Sequence, residues 1–272
     1  MTRSIIDKRL NQFESLIPKT SPLKEPIIVC FGISFKSKKV CKNWEIVQKN
    51  LSNTLRSIFN NTKSNFLIVV AGHEKPKIAE IENEKVKWIS SPFKPPISPK
   101  GFNLDKRKKR ILIGAYLRTI HFNGYYMHLD ADDLIHYKFI EYLNSLPLKK
   151  AFIIRESFMI NTNIKEIWVT KRFYLHCGSS SVIYFNTNEL PLSFKRDKSK
   201  FSKFAFTSHR LTHSKFKKND YQFLDQPLVL RVFGYGDNNM TIKGLININV
   251  SSLQYRSKGV TYGDWIWNHF NV

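Results

Sequence analysis

The chain has 272 residues, of which 44 are Lys or Arg and 21 Asp or Glu, giving a formal net charge of +23 at neutral pH. Hydrophobic residues make up 42% and aromatics 14%, which excludes a chain disordered throughout, and the length suffices to bury a large core. No apolar run approaches the roughly 18 residues that span a bilayer, and the polar start with Asp7 and Glu14 does not read as a secretory leader. Three cysteines without a CxxC pair (Cys30, Cys41, Cys177) point to a reducing compartment rather than a disulfide scaffold. The charge itself leaves three readings: nucleic-acid binding, attachment to anionic lipid, or a solvated surface enriched in Lys by compositional bias.

Residues 1–24 are polar, carry Pro18 and Pro22, and predict a short amphipathic helix and a linker. PIIVCFGISF (26–35) is a nearly continuous apolar run rich in β-branched residues and predicts a buried strand. In 43–60, Trp44, Val47, Leu51, Leu55 and Ile58 recur near a 3.6 period, predicting a helix with Asn43 as its N-cap. NFLIVVAG (65–72) and VKWIS (86–90) predict two more strands, and 105–119 a helix with a basic start. YYMHLDADD (125–133) is a fourth strand ending in acids, followed by a short helix over 137–146. The order β-α-β-β-α-β-α predicts an open α/β sheet, mostly parallel, with ligand beyond the carboxyl ends of its strands. Neither GxGxxG nor GxxxxGK[ST] occurs, so neither a dinucleotide fingerprint nor a P-loop is available. Further on, 151–160, 166–170, 180–186, 226–236 and 241–250 read as strands, 193–221 as a basic mobile or partner-dependent segment, and 251–272 as an aromatic tail.

Asp130, Asp132 and Asp133 carry the chemistry. An acid capping a helix that begins near Leu134 explains one of them, not three. Three carboxylates in four residues repel one another, so a cation belongs beside them. Asp130 and Asp132 can converge at a strand end on a hard divalent ion, Mg²⁺ or Mn²⁺, shared with phosphate oxygens.

A strand ending in DADD after a β-α-β-β-α start resembles the DxD motif of GT-A-fold glycosyltransferases. The run Asp105-Lys106-Arg107-Lys108-Lys109-Arg110 resembles a DKxxKR signature of one bacterial family-A branch, and Cys177-Gly178-Ser179-Ser180 its CGxS segment. Gly234-Tyr235-Gly236-Asp237-Asn238 resembles the late GxGEN motif, with Asp in place of Glu, and His209-Arg210 falls where that branch has a His pair. The matches span roughly 26–240. LDQPLVLRVFGY also resembles the EDxxLxxRxxxxGY of inverting transferases, which would put Asp225 on the acid of that motif; the two alignments leave the base open.

The resemblance implies a GT-A-like sandwich over 25–250, with a nucleotide-binding half (25–135) and an acceptor half (136–250). It implies a metal-dependent transfer of sugar from a nucleotide diphosphate, most commonly UDP, to a glycan or lipid-linked glycan in bacterial surface polysaccharide synthesis. By the same resemblance Phe31, Gly32, Ile33, His73 and Glu74 border the base or ribose, and Asp105, Lys106 and Lys109, or Arg110, meet base and diphosphate. Asp130 and Asp132 hold the metal with His209 as a third ligand, while Ala131, Ser179 and Ser180 line the donor sugar. Asp225 is the leading base, with Asp237 and Asn238 lining the acceptor or supporting the metal, and Cys177 packs in the pocket wall. With no spanning segment, the basic block 193–218 and the tail around Trp265 and Trp267 imply a cytoplasmic protein held at the inner face of an anionic membrane. The competing class is a basic nucleic-acid-binding protein or metal nuclease; no nucleic-acid-recognition motif supports it, so no nucleic-acid partner is expected.

Overall fold

The computed structural model describes residues 3–17, 27–270 and 272; the expected linker around Pro18, Pro22 and Pro26 lies outside them. In chain order come helix α1 (Arg3–Leu16), strand β1 (Val29–Ser34), helix α2 (Trp44–Phe59), strands β2 (Phe66–Gly72) and β3 (Val86–Ser90), helix α3 (Phe102–Thr119) and strand β4 (Gly124–Leu129). Asn43 caps α2 as expected, its side chain accepting from the Ile46 N–H at 3.1 Å. Strand β4 stops before the acids, which form a turn. Leu134–Ile135 is then a strand (β5), so no helix begins there for an acid to cap, and α4 (Phe139–Ser145) follows.

The apolar run 151–160 is two strands, not one. Arg155 and Glu156 interrupt it, and β6 (Ala151–Ile154) and β7 (Ser157–Asn161) enter different sheets. Then come β8 (Glu166–Thr170), α5 (Phe173–His176), β9 (Ser181–Phe185), α6 (Lys200–Phe206), β10 (Tyr221–Leu224) and β11 (Val229–Phe233). Residues 241–250 are not a strand: a helical turn, α7 (Asn239–Ile242), gives way to loop before β12 (Val260–Thr261) and α8 (Trp267–Phe270). The basic segment 193–221 is structured around α6, because Phe201 and Ala205 are buried and Phe204 stacks on Phe216 at 5.1 Å.

Seven strands form the central sheet in the order β10-β6-β9-β4-β1-β2-β3, all in one direction except β9. The period of two sorts its side chains. Val29, Phe31 and Ile33 of β1 with Tyr125 and Met127 of β4 pack into one cluster with Leu51, Leu55 and Ile58 of α2. Cys30 and Tyr126 face the other way, against Ile111 and Leu117 of α3 and Phe201 of α6. Each buried Leu, Ile or Phe contributes about 1.5–3 kcal/mol. A second sheet, β12-β8-β7-β11-β5, is covered by Ile6 and Leu10 of α1 and by Ile266 and Phe270 of the C-terminal segment. The described part of the N-terminal helix and the aromatic tail therefore share a core with that sheet; Trp265 and Trp267 pack against it. No helix among the described residues is long and apolar enough to cross a membrane.

Candidate active site

Strand order turns back between β1 and β4, and a ligand crevice is expected outside the carboxyl ends of two such strands. A cleft of about 340 Å³ lies there. Ser34, Phe35 and Lys36 enter it from the end of β1, Asp130 to Asp132 from the end of β4, Lys106 from the first turns of α3, and Tyr235 and Asp237 to Met240 from beyond β11.

The three acids lie together, each offering a carboxylate oxygen within 4.8 Å of the others. They are not equivalent. Asp130 pairs with the Lys106 ammonium and lies 3.1 Å from His128 Nε2. Burial works against its charge, but Lys106 and His128 outweigh it and hold the carboxyl well below the usual range. Asp132 accepts from the Tyr235 hydroxyl and, at 3.3 Å, from Asn238; burial and the charge of Asp130 raise it. Asp133 faces inward, where Cys177 Sγ donates at 3.0 Å and Ser179 Oγ at 2.6 Å. Burial and the neighbouring acids push it up to about 8, so at neutral pH it holds a proton. The same Ser179 hydroxyl accepts from the Asp130 N–H at 2.9 Å, so the CGS segment braces the acidic turn. Two partly exposed carboxylates opening on a cleft are a donor set suited to a hard divalent ion.

Several expected residues sit elsewhere. Phe31, Gly32 and Ile33 are mid-strand and buried, not a loop at a ligand. A Cβ at Gly32 would overlap the Tyr126 side chain, so this glycine makes room for a tyrosine. Glu74 accepts from Ser37 Oγ and the Lys38 N–H at 3.1 and 2.9 Å, tying down the turn after β1. His73 Nε2 lies 2.8 Å from Asp105, whose other oxygen accepts from Lys109 Nζ at 2.6 Å. Lys109 also donates to the Phe35 carbonyl at 2.8 Å and is buried; it anchors α3 to β1 and does not reach the cleft. Of these residues only Asp105 lines the cleft. Lys106, Ala131, Asp237 and Asn238 line it as expected.

Ser180 is buried and its hydroxyl has no hydrogen-bond partner. His209 borders the cleft but does not join the acidic cluster; burial lowers its ring to about 4. His213 packs on the ring of Tyr174, away from the acids. Asp225 is outside the cleft: it forms a two-pronged ion pair with Arg155 beside the end of β10, with about half of each side chain exposed. The acids that line the cleft are Asp105, Asp130, Asp132 and Asp237. Asp237 is buried, its Oδ1 accepting from Lys36 Nζ and its Oδ2 from the Asn43 N–H, both at 2.6 Å.

Lys36, Tyr235 and Arg231 also line the cleft, although the sequence alone assigns them no role. Lys36 follows a strand end, and Tyr235 lies inside a motif whose acids drew attention. Arg231 is a single cation in the apolar run LVLRVF; its guanidinium reaches the His176 carbonyl and enters the cleft. That misfit, and its place on the Arg of the EDxxLxxRxxxxGY resemblance, were the available signals for it.

No family model and no curated protein matches the chain. Among solved structures, the glycosyltransferase GlyE of Streptococcus pneumoniae TIGR4 is similar at 11% identity and a TM-score of 0.40, over 92% of this chain and 61% of that one. So distant a likeness carries no argument about activity, and this chain spans about three-fifths of that structure's length.

Proposed function

We propose that the chain is a metal-dependent glycosyltransferase that moves a sugar from a nucleotide diphosphate, a UDP-sugar foremost, to a glycan or lipid-linked glycan of a bacterial surface polysaccharide. One observation carries this reading. The DADD turn opens Asp130 and Asp132 on a cleft at the strand-order reversal, with Lys106 beside them, where a diphosphate would lie. Asp130 and Asp132 would hold the ion, Mn²⁺ or Mg²⁺. When bound, such an ion offsets the charge that builds on a departing nucleoside diphosphate.

The chain's own groups do the rest. Lys106 supplies a point charge to the diphosphate. Tyr235 and Asn238 hold Asp132 in one orientation, and Asp133, kept neutral, braces the turn through Cys177 and Ser179 without adding a third charge. The base role falls to Asp237, which lines the cleft and is held by Lys36 and the Asn43 amide, rather than to Asp225 outside it. From there it can accept the proton of an acceptor hydroxyl as that oxygen attacks the anomeric carbon. The net charge of +23 supports attachment to the anionic inner face of a cytoplasmic membrane, close to a lipid-linked acceptor.

Release of nucleoside diphosphate from a panel of nucleotide sugars, with and without Mn²⁺, tests the activity. Metal-dependent turnover of at least one sugar is the expected outcome; none with any donor refutes it.

A further inference from the structure

Behind the acidic turn lies a second, smaller pocket of about 50 Å³, between α3, α6 and the face of the central sheet opposite α2. It joins the cleft: Arg110, Gly178, Thr207 and His209 line both. Five buried polar atoms in its wall have no hydrogen-bond partner: Arg110 Nε, Tyr126 OH, His128 Nδ1, Ser181 Oγ and His209 Nε2. Unmet buried polar atoms are costly, and half of the ten among the described residues gather around this one space, which marks it as a site for a polar ligand. Arg110 decides its charge. No carboxylate among the described residues pairs with its guanidinium, whose one hydrogen bond is Nη1 to the Ala205 carbonyl at 3.5 Å. A guanidinium so placed calls for a planar anion.

We propose that this pocket binds a carboxylate carried by the donor sugar, so that the donor is a nucleotide-activated acidic sugar such as a hexuronic acid. The inference rests on the glycosyltransferase reading and names its substrate class. The wall offers more than an inorganic anion can use. Arg110, Tyr126 and Ser181 donate to a carboxylate. His128 Nε2 lies 3.1 Å from Asp130 Oδ1, which leaves Nδ1 as the ring nitrogen on the pocket. A hydroxyl both donates and accepts, so it can meet that nitrogen in either role, and a uronic acid carries one next to its carboxylate. The volume admits a carboxylate but not a sugar ring, leaving the ring in the cleft beside Asp130. Gly178 forms the doorway, where a Cβ would come within 3.2 Å of Asp130 Oδ2.

Calorimetric titration with Mn²⁺ present tests this with matched donors: UDP-glucose against UDP-glucuronate, and GDP-mannose against GDP-mannuronate. Within each pair only CH₂OH and COO⁻ differ. The uronate of one pair should bind about tenfold or more tighter than its neutral partner. Arg110→Met should bring the uronate's affinity down to that of the neutral sugar. Should Arg110→Met fail to fold, Tyr126→Phe, which removes one oxygen, should narrow the preference. Equal affinities in both pairs with nucleotide binding intact overturn the pocket assignment alone. Failure of every nucleotide and nucleotide sugar to bind overturns the transferase reading as well.

Discussion

At the scale of single residues, position relative to the cleft separates acids that look alike in sequence. Asp237 lines it and is buried; Asp225 pairs with Arg155 outside it. Asp237→Asn is therefore expected to lower kcat by about 10²-fold or more. Asp225→Asn breaks an exposed pair worth under about 1 kcal/mol and should leave turnover near that of the parent. Steady-state rates of the two variants check this, and the reverse ranking would return the base role to Asp225. Gly32 makes a different kind of point. Its place on β1 reads as a ligand-facing glycine, yet the tyrosine behind it needs the space. Gly32→Ala should cost about 1–3 kcal/mol of stability by overpacking, read as a lower denaturation midpoint. An unshifted midpoint would show that Tyr126 yields without cost.

At the scale of elements, the first half of the chain was legible because parallel strands buried on both faces are continuous apolar runs and α2 keeps a clean 3.6 period. In the second half 166–170, 180–186 and 226–236 do hold β8, β9 and β11, but three other stretches were not legible, for physical reasons. Arg155 and Glu156 turn one apolar run into two strands of different sheets. Residues 241–250 alternate like a strand but find no partner strand. The Lys-rich segment around α6 hides Phe201 and Ala205, which suffice to anchor it. The acidic turn was read as the heart of the site, whereas its bracing by Cys177, Ser179 and Tyr235 depends on contacts across 44 to 103 residues.

One such long-range junction ties α1 to α8. Glu14 lies 3.1 Å from His269 Nδ1 and 3.5 Å from His136 Nε2. Burial opposes the Glu14 charge, but both imidazoles stabilise it and hold the carboxyl at about 2, below its ordinary 4.5. Burial also lowers His136 beneath its ordinary 6.5. Each folded-state value is depressed, so each group's contribution is full above its unfolded value and lost on acidification through the folded one. Thermal stability should fall from pH 6.5 downward as His136 protonates, and again between pH 4.5 and 2 as Glu14 does. Glu14→Gln should lower stability by about 1–3 kcal/mol at neutral pH and flatten the lower step. Melting curves across pH check it; superimposable profiles of parent and variant would contradict it.

At the scale of the whole molecule, the charge of +23 is divided by the fold. Of the run 106–110, Lys106 pairs with Asp130, Arg110 lines the cleft and the pocket behind it, Lys109 is buried against Asp105, and Arg107 and Lys108 lie over Phe206 and Phe93. That leaves most of the excess to other surfaces, where it acts through its summed field. Vesicles containing phosphatidylglycerol should sediment with the protein at low salt and release it near 0.5 M salt, where the screening length falls to a few Å. Binding unaffected by salt, or equal binding to neutral vesicles, would contradict peripheral attachment by charge.

The central claim is that Asp130 and Asp132 join a divalent ion to a nucleotide sugar. Its most direct measurement is thermal stabilisation by UDP-sugars with and without Mn²⁺, for the parent chain and for Asp132→Ala. A ligand that binds only the folded state raises the melting temperature by mass action. The predicted result is stabilisation that needs both metal and nucleotide sugar and vanishes in a folded Asp132→Ala variant. Stabilisation that persists in that variant, or that never requires the metal, would contradict the claim.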